Sequence, residues 1–210
     1  MESQNRLARS SFYYKYNYAK VTGKYKYAGD YYLKDMLYGK VLRAGVPHAY
    51  IDYIDVSDAY KIPGVRAVIT YRDVPGLNAF GYYKPNQPVL CKDKVRYVGD
   101  AVAAVAAETQ EAAEEAVKTI KVKYLKLDGV YSLKDAIEEK SIIGEKNNLA
   151  YSIFYENGSY EKAKGEEFEG TYELASVKQM YIELESALAW ISGDKINIIT
   201  TTQSPDHDLE

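Results

Sequence analysis

The sequence predicts an α+β protein in which a helix lies on a β-sheet, and three observations support this. Short runs rich in valine, isoleucine and tyrosine are separated by turn residues, as in β-strands. Ala113, Ala116, Val117 and Ile120 recur at a spacing that places them on one face of a helix. Strand, helix and strand patterns follow one another within residues 101–124, which indicates a compact layer of helix on sheet.

The first part of the chain contains two predicted strands. One lies within residues 36–46, MLYGKVLRAGV, and the other covers residues 65–70, VRAVIT, where β-branched side chains dominate. Between them, Asp55 or Ser57 could cap a short helical turn that Pro63-Gly64 would end. The run after the second strand, YRDVPGLN, has the composition of a turn.

The run Ala101–Ala107 predicts a strand that has no polar face. Both faces of such a strand should be covered, and its small side chains would let a helix or second sheet approach closely. A turn at Gly99-Asp100 separates it from a short strand predicted at residues 95–98. Thr109 is the predicted N-cap of the following helix, and residues 120–124 alternate as a strand should.

The last third of the chain changes character. Residues 139–170 carry little periodic apolar signal and predict a long connection on the surface. FEGTYEL, KQMYIELESALAWIS and KINIITTTQ then have the pattern of consecutive strands, with Gly193-Asp194 as the hairpin turn between the last two. These strands would begin a second sheet whose edge and apolar face lack cover.

Composition excludes several classes of protein. The 210 residues suffice for about one domain or one and a half, and the net charge of −3 gives no global attraction to nucleic acid or membrane. No apolar run approaches the roughly 20 residues of a membrane span, and the first residues do not form a secretory signal. The single cysteine excludes an internal disulfide and a cysteine metal cluster, and it suits a reducing compartment. We therefore expect a cytoplasmic protein.

The chain contains 23 tyrosines against four phenylalanines, and many tyrosines lie between Tyr13 and Tyr38 among lysines. Interleaved aromatic and basic residues could stack on single-stranded nucleic acid and neutralise it. They could equally form a half-buried sheet surface, since tyrosine is a good strand former. The balance of acids and lysines over the whole chain favours the second interpretation.

Individual side chains suggest no definite reaction. His48 could act as a general base, but a hydrogen-bonded structural histidine is the commoner situation. Asp206, His207 and Asp208 could bind a metal ion weakly, although adjacent residues make a poorly organised site. Cys91 has one neighbouring lysine, which is thin support for a reactive thiolate. The glycines do not form a phosphate-binding loop before a helix.

The order of longer segments is more specific. Four segments follow one another: AKVTGKYKYAGD, MLYGKVLRAGVPHAYIDYIDVSDAYKIPGVRAVITYRDVPGLN, QPVLCKDKVRYVGDAVAAVAAETQEAAEEAVKTIKVKY and YELASVKQMYIELESALAW. Together they closely resemble the start of the large subunit of the xanthine dehydrogenase, aldehyde oxidase and carbon monoxide dehydrogenase family, the molybdenum hydroxylases. The resemblance covers most of the chain from Ala19 onward, and the connecting segment is its weakest part.

The resemblance implies a domain plan. Residues 1–20 would form an N-terminal arm, residues 21–138 the α/β-hammerhead domain, residues 139–170 a connection, and residues 171–210 the truncated start of the molybdopterin-binding domain. In this family the hammerhead domain packs against the cofactor domain and faces the iron–sulfur subunit. The strand at 101–107 would then contribute to the packed core of a scaffold and have no part in the chemistry.

One cofactor-binding residue is implied. TTTQSP resembles the family's Ser-Thr-Gln segment, whose glutamine lies beside the ligands of molybdenum, and this places Gln203 near the cofactor. An amide N–H can donate to an oxo group without adding charge. No catalytic residue and no metal ligand is expected here, because the family's glycine-rich loop, its later pterin-binding loops and its catalytic glutamate have no counterpart in the sequence. AGVPH at residues 44–48, Gln179 and Leu184 depart from the family's usual pattern and leave the subfamily open.

The complete enzyme implied would hydroxylate an aldehyde, heterocycle or related substrate, or oxidise carbon monoxide, with water as the oxygen source. It would contain molybdopterin, while FAD and [2Fe–2S] clusters would be held by a medium and a small partner subunit. This chain alone would bind no cofactor, and neither nucleic acid nor membrane is an expected partner.

The short length of this chain would reflect a cloned fragment, a split subunit or a disrupted gene. The alternative function is a non-catalytic hammerhead module that binds an iron–sulfur or maturation partner.

Overall fold

The computed structural model describes residues 17–81, 84–158, 165–181, 183–206 and 208. The chain divides into two compact units. One comprises Asp35–Glu167, and the other combines Met1–Lys34 with Phe168–Glu210. The fold contains helices and strands together, as predicted, and the predicted domain boundaries stay a prediction. Within the described ranges, no helix has the length and apolar character needed to cross a membrane.

The larger unit contains an antiparallel three-stranded sheet, here called sheet I. Its strands are β1 (Tyr38–Arg43), β3 (Val65–Thr70) and β5 (Ala101–Ala107), in the order β1-β5-β3. The predictions for 65–70 and 101–107 therefore match the observed strands. Because β5 is central, the register places both Val41 and Ile69 opposite Ala104.

A helix, α2 (Gln110–Thr119), follows β5 directly and covers one face of sheet I. The Thr109 side chain accepts a hydrogen bond of 3.1 Å from the Ala112 backbone N–H, which confirms the predicted cap. Ala113 and Ala116 are buried, as the spacing predicted, and Ala116 belongs to the same core cluster as Ala103 and Val105 of the central strand. The core on this side joins residues from the sheet and the helix: Ala59, Val68, Ala103, Val105, Ala116 and Ile120.

The prediction that both faces of β5 are covered holds on one face only among the described residues. Ala103, Val105 and Ala107 are fully buried, whereas Ala104 and Ala106 on the other face are only partly buried. The small side chains allow the close approach of α2 on the first face.

A second three-stranded antiparallel sheet, sheet II, has the order β4-β2-β6. Its strands are β2 (Ala49–Asp55), β4 (Lys94–Val95) and β6 (Lys121–Lys126). Strand β2 was not predicted, because two aspartates interrupt its apolar pattern. The register shifts between Ile51 and Tyr53, so Asp52 is an extra residue in the ladder with β6. A second core joins this sheet to sheet I: Ala44, Ala49, Cys91, Val95 and Val102.

The predicted helical turn after β2 exists as a single 3-10 turn at Ala59–Lys61. The predicted cap is wrong, since the residue before the turn is Asp58 and its side chain makes no capping hydrogen bond. Instead, the Asp55 carboxylate accepts a hydrogen bond of 2.9 Å from the Ser57 backbone N–H. Gly64 has a φ of +86°, a conformation that favours glycine and lets the chain turn into β3.

A short helix, α3 (Leu133–Ile137), was not predicted. It is followed by a segment without helix or strand over residues 139–158, in agreement with a surface connection. The Asn148 side chain organises the start of this segment. It accepts from the Ile143 backbone N–H at 2.8 Å and donates to the carbonyl oxygens of Ser141 and Ala136 at 2.7 and 3.2 Å.

The smaller unit contains a helical turn, α1 (Asn17–Val21), and a hairpin of β7 (Ala187–Ser192) and β8 (Lys195–Thr200). Gly193 has a φ of 63°, so the predicted turn at Gly193-Asp194 is confirmed. The strand predicted at FEGTYEL is wrong, because residues 168–174 form no ladder. Of the predicted arm, residues 1–16 lie outside the described residues.

Candidate functional site

Gln203, the predicted cofactor-binding residue, lies three residues beyond the end of β8. Its side chain is exposed and makes no hydrogen bond among the described residues. A free primary amide has two N–H donors and one acceptor available to a ligand. The location of Gln203 near a cofactor stays a prediction, since nothing in this chain tests it.

Thr201 ties the segment that carries Gln203 to the chain before β7, and Thr202 makes a hydrogen bond within the segment. The Thr201 backbone N–H donates to the Ser186 carbonyl oxygen at 3.1 Å, and the Thr201 hydroxyl donates to the Leu184 carbonyl oxygen at 3.2 Å. The Ser204 backbone N–H donates to the Thr202 hydroxyl at 3.0 Å. The backbone on both sides of Gln203 is therefore held, while its side chain is free.

His48 is the one buried polar or charged residue in the described chain, with 2% of its surface exposed. Its Nδ1 lies 2.7 Å from the Asp128 carbonyl oxygen, which can only accept, so Nδ1 carries a proton. Its Nε2 is buried without a partner among the described residues. No substrate can reach this ring without rearrangement, which favours the structural interpretation over a general base.

Cys91 is also inaccessible, with no exposed surface. Burial raises the pKa of its thiol to about 12, and the nearby Asp100 carboxylate acts in the same direction. A thiol with such a pKa is a poor nucleophile at neutral pH.

Of the predicted weak metal site at residues 206–208, His207 lies outside the described residues. Those that are described contain no group of three His, Cys, Asp or Glu side chains that could hold a metal ion.

The described part of the Tyr/Lys-rich segment, residues 17–34, forms no strand. The interpretation as a sheet surface is therefore wrong there. Two of its lysines lie over its own tyrosine rings instead, Lys20 at 5.1 Å from the centroid of Tyr25 and Lys26 at 5.8 Å from that of Tyr31. These cation–π contacts account for part of the interleaved pattern.

Cavities in the larger unit are lined by residues that the structure describes, and three of them bear on a possible site. One of about 700 Å³ is lined by the connecting segment around Asn148, and one of about 390 Å³ lies beside Tyr60. The third, of about 440 Å³, opens on the exposed face of sheet I. Gln203 lines none of the three.

Sequence inspection missed several charged contacts. The Asp58 carboxylate binds Lys121 at 2.5 Å and Lys61 at 2.6 Å, and these hydrogen bonds lower its pKa to about 2. Lys94 and Arg96 donate to consecutive carbonyl oxygens of the connecting segment, at 2.9 and 3.1 Å. Burial, together with the charge of Arg96, lowers the pKa of Lys94. Apart from the pair of Asp58 with Lys61, the partners are distant in sequence and gave no local signal for these contacts.

The chain matches a protein-family model described as the a/b hammerhead domain of aldehyde oxidase and xanthine dehydrogenase, over residues 22–128. Among curated relatives, a protein from Bacillus subtilis described as a probable subunit of xanthine dehydrogenase is 47% identical over 174 residues, which are 81% of this chain. The nicotinate dehydrogenase large molybdopterin subunit from Eubacterium barkeri is 37% identical over 194 residues, or 90% of this chain. The chain spans 23% and 46% of the lengths of these two relatives.

Solved structures give the same result for the fold. The aldehyde oxidoreductase from Desulfovibrio gigas superposes with a TM-score of 0.57 at 33% identity, over 61% of this chain and 16% of that one. Carbon monoxide dehydrogenase from Oligotropha carboxidovorans gives a TM-score of 0.52 at 30% identity, over 57% of this chain and 15% of that one. All four proteins are oxidoreductases, and the similarity covers a small part of each solved chain.

Proposed function

Because the chain belongs to the aldehyde oxidase and xanthine dehydrogenase family, we propose that it is the N-terminal portion of a molybdenum hydroxylase large subunit. Its role there is to supply the scaffold and subunit contacts. The observation that carries the proposal is the match of residues 22–128 to the family's hammerhead domain. Helix α2 and all three strands of sheet I lie within that range and share one hydrophobic core.

The whole enzyme would convert R–H and water into R–OH, two protons and two electrons. With carbon monoxide as the substrate, the products would be carbon dioxide, two protons and two electrons. The bound molybdenum group would supply this two-electron oxidation, and the electrons would leave through iron–sulfur clusters to FAD in partner subunits. The substrate class is an aldehyde, a heterocycle or a related compound, or carbon monoxide. The expected compartment is the cytoplasm.

This chain's own contribution to the cofactor would be the amide of Gln203. The free N–H groups of Gln203 can donate to an oxygen or sulfur ligand of the metal, and the hydrogen bonds of Thr201 and Thr202 hold the backbone beside it. The described residues do not fit a complete molybdopterin site, since they offer this one donor and no group of metal ligands. The remainder of the subunit would supply the other contacts.

The first experiment measures the cofactor. The full-length subunit that carries this sequence is purified with its partner subunits, and molybdenum is measured by elemental analysis and pterin by its oxidised fluorescent form. We expect both in a fixed ratio to the subunit, and their absence would refute the proposal. The 210-residue chain purified alone should hold no stoichiometric molybdenum, and full occupancy of that chain would refute the scaffold role.

A second experiment tests Gln203. The variant Gln203→Ala should lower kcat by about 10- to 100-fold, the order found when a hydrogen-bonding partner of a metal ligand is removed. The molybdenum content should stay unchanged, and the Mo(V) resonance signal should shift, because a hydrogen bond to a metal ligand is lost. The variant Gln179→Ala is the matched control. A normal kcat for Gln203→Ala would remove Gln203 from the cofactor site.

A further inference from the structure

One asparagine of the connecting segment, Asn157, is followed directly by a glycine, Gly158. Every other asparagine of the chain is followed by a residue that bears a side chain. The side-chain amide of an asparagine can react with the backbone nitrogen of the next residue, and a Cβ on that next residue hinders the approach. Glycine has no Cβ, so this pair has the least steric resistance to such a reaction.

The surroundings of the pair are open. Asn157 and Gly158 are both exposed, in the part of the chain after α3 that has neither helix nor strand. Gly158 has a φ of +84°, and a Cβ added there would meet no atom of the described chain within 4 Å. Among the described residues, neither the Asn157 side chain nor the Gly158 backbone N–H makes a hydrogen bond. Both reacting groups are therefore free to approach each other.

Two other asparagines are held by the fold. The Asn78 side chain donates to the Leu90 carbonyl oxygen at 2.7 Å and accepts from the Leu90 backbone N–H at 3.0 Å. The Asn148 side chain accepts from one backbone group and donates to two others. Such a side chain must break hydrogen bonds before its Cγ can turn toward the next backbone nitrogen, which raises the barrier. Asn157 has no such bonds to break.

We propose that Asn157 is a site of spontaneous deamidation, a modification that converts its side-chain amide into a carboxylate. The Gly158 backbone nitrogen loses its proton and forms a bond to Cγ of Asn157. The bond from Cγ to Nδ2 breaks, and the departing group takes up a proton and leaves as ammonia. Because the two groups belong to neighbouring residues, the step is intramolecular and needs no enzyme.

Water completes the reaction. It adds to one of the two carbonyl carbons of the cyclic imide and breaks the bond from that carbon to nitrogen. Opening at one carbonyl gives aspartate, and opening at the other gives isoaspartate, in which the main chain runs through Cγ. The overall change consumes one water and releases one ammonia, so no oxidant, reductant or cofactor takes part.

The product differs from the original chain in charge and in backbone. Each event adds one negative charge, next to Glu156, to a chain whose formal net charge is −3. Isoaspartate also lengthens the main chain by one methylene group. Asn157 lies outside every helix and strand of the described chain, so no ladder or helical hydrogen bond is lost. We therefore expect a more acidic form that keeps the fold of the original.

The same residues begin an Asn-Gly-Ser sequence, which is also an acceptor pattern for an N-linked glycan. Glycosylation needs an oligosaccharide donor and a transferase, whereas deamidation needs only water and the two groups that are already adjacent. The open geometry of Asn157 and Gly158 supports deamidation directly. A glycan on Asn157 is a separate outcome of the experiment.

Incubation of the purified 210-residue chain at mildly alkaline pH tests the proposal. Isoelectric focusing follows the acidic form, and mass mapping of peptides locates the change. We expect the Asn157 peptide to change from amide to acid and to be methylated by an isoaspartyl methyltransferase, while the Asn78 and Asn148 peptides stay amides. The rate should rise with pH, because the attacking nitrogen reacts after losing its proton.

Two comparisons make the test decisive. Asn157→Gln should slow formation of the acidic form by about tenfold or more, because the longer side chain loses the favourable geometry of attack. Asn157 should react at a similar rate in the folded chain and in urea, since no regular structure has to open around it.

Three results would overturn the proposal. One is an acidic form that accumulates equally in Asn157→Gln, because another residue would then be its source. Another is slowing of the Asn157 reaction by about tenfold or more in the folded chain relative to urea, since the fold would then protect the site. The third is a glycan on Asn157 in protein isolated from its natural host. None of these readouts depends on molybdenum, so the proposed function is tested separately.

Discussion

The hydroxyl group of Tyr60 makes two hydrogen bonds to the backbone of Val68. It donates to the Val68 carbonyl oxygen at 3.0 Å and accepts from the Val68 N–H at 3.3 Å. Strand β3 pairs only with β5 among the described strands, so these backbone groups lie on its free edge. The tyrosine therefore takes the place of a neighbouring strand and protects an edge that could otherwise pair with another chain.

The variant Tyr60→Phe should be destabilised by about 1 kcal/mol, because both Val68 groups lose their protein partner. Urea unfolding monitored by circular dichroism measures the change. Tyr53→Phe is the control, since Tyr53 is 51% exposed and its hydroxyl makes no hydrogen bond in the described chain. Equal stability of the two variants would mean that water replaces the Tyr60 hydroxyl without cost.

The Thr109 cap gives a second prediction. Replacing Thr109 with alanine removes the hydrogen bond to the Ala112 N–H and should destabilise the protein by about 1 kcal/mol. Thr109→Ser keeps the hydroxyl and should retain most of the stability. Thermal unfolding is measured for wild type, Thr109→Ala and Thr109→Ser. If Thr109→Ser loses as much stability as Thr109→Ala, the threonine methyl group and not the hydrogen bond is responsible.

Asp58 should make stability depend on pH in the acid range. The hydrogen bond from Lys121 and then that from Lys61 lower the pKa of Asp58 from its ordinary value of 3.8 to about 2. Because the folded-state pKa lies below the ordinary value, the stabilisation is complete above pH 3.8 and is lost as the pH falls through about 2. Asp58→Asn should lack this part of the pH dependence.

Urea unfolding at several pH values within that window measures the effect. The difference in stability between wild type and Asp58→Asn should shrink as the pH falls. Lys121→Met should reduce the same difference, because the Lys121 hydrogen bond is the largest cause of the shift. If the difference in stability between wild type and Asp58→Asn stays constant with pH, the Asp58 carboxylate has no net electrostatic effect on folding.

Cys91 should be unreactive in the folded protein. Burial raises the pKa of its thiol to about 12, so the thiol stays protonated at pH 8. A disulfide reagent should therefore titrate no thiol in the native chain and one thiol per chain in denaturant, since the sequence contains a single cysteine. Rapid reaction in the native state would indicate frequent local opening around Cys91.

Elements with strong local signals could be predicted from the sequence. The β-branched run at Val65–Thr70, the alanine-rich run at Ala101–Ala107 and the Thr109 cap with its helix all lie where expected. Each depends on residues close together in the chain. Strand β2 was missed because its aspartates hide the alternation, and one of them, Asp52, occupies an irregularity in the ladder.

The sequence by itself determined helix α2 and the strands at Val65–Thr70 and Ala101–Ala107, and through the hammerhead segments it determined the family. Tertiary structure decided that β5 lies between β1 and β3, that Tyr60 covers a strand edge, and that one face of β5 stays accessible. The physical reason is distance along the chain. Propensity and periodicity act between neighbours, whereas strand order and burial arise from contacts between residues far apart, such as Val41 with Ala104.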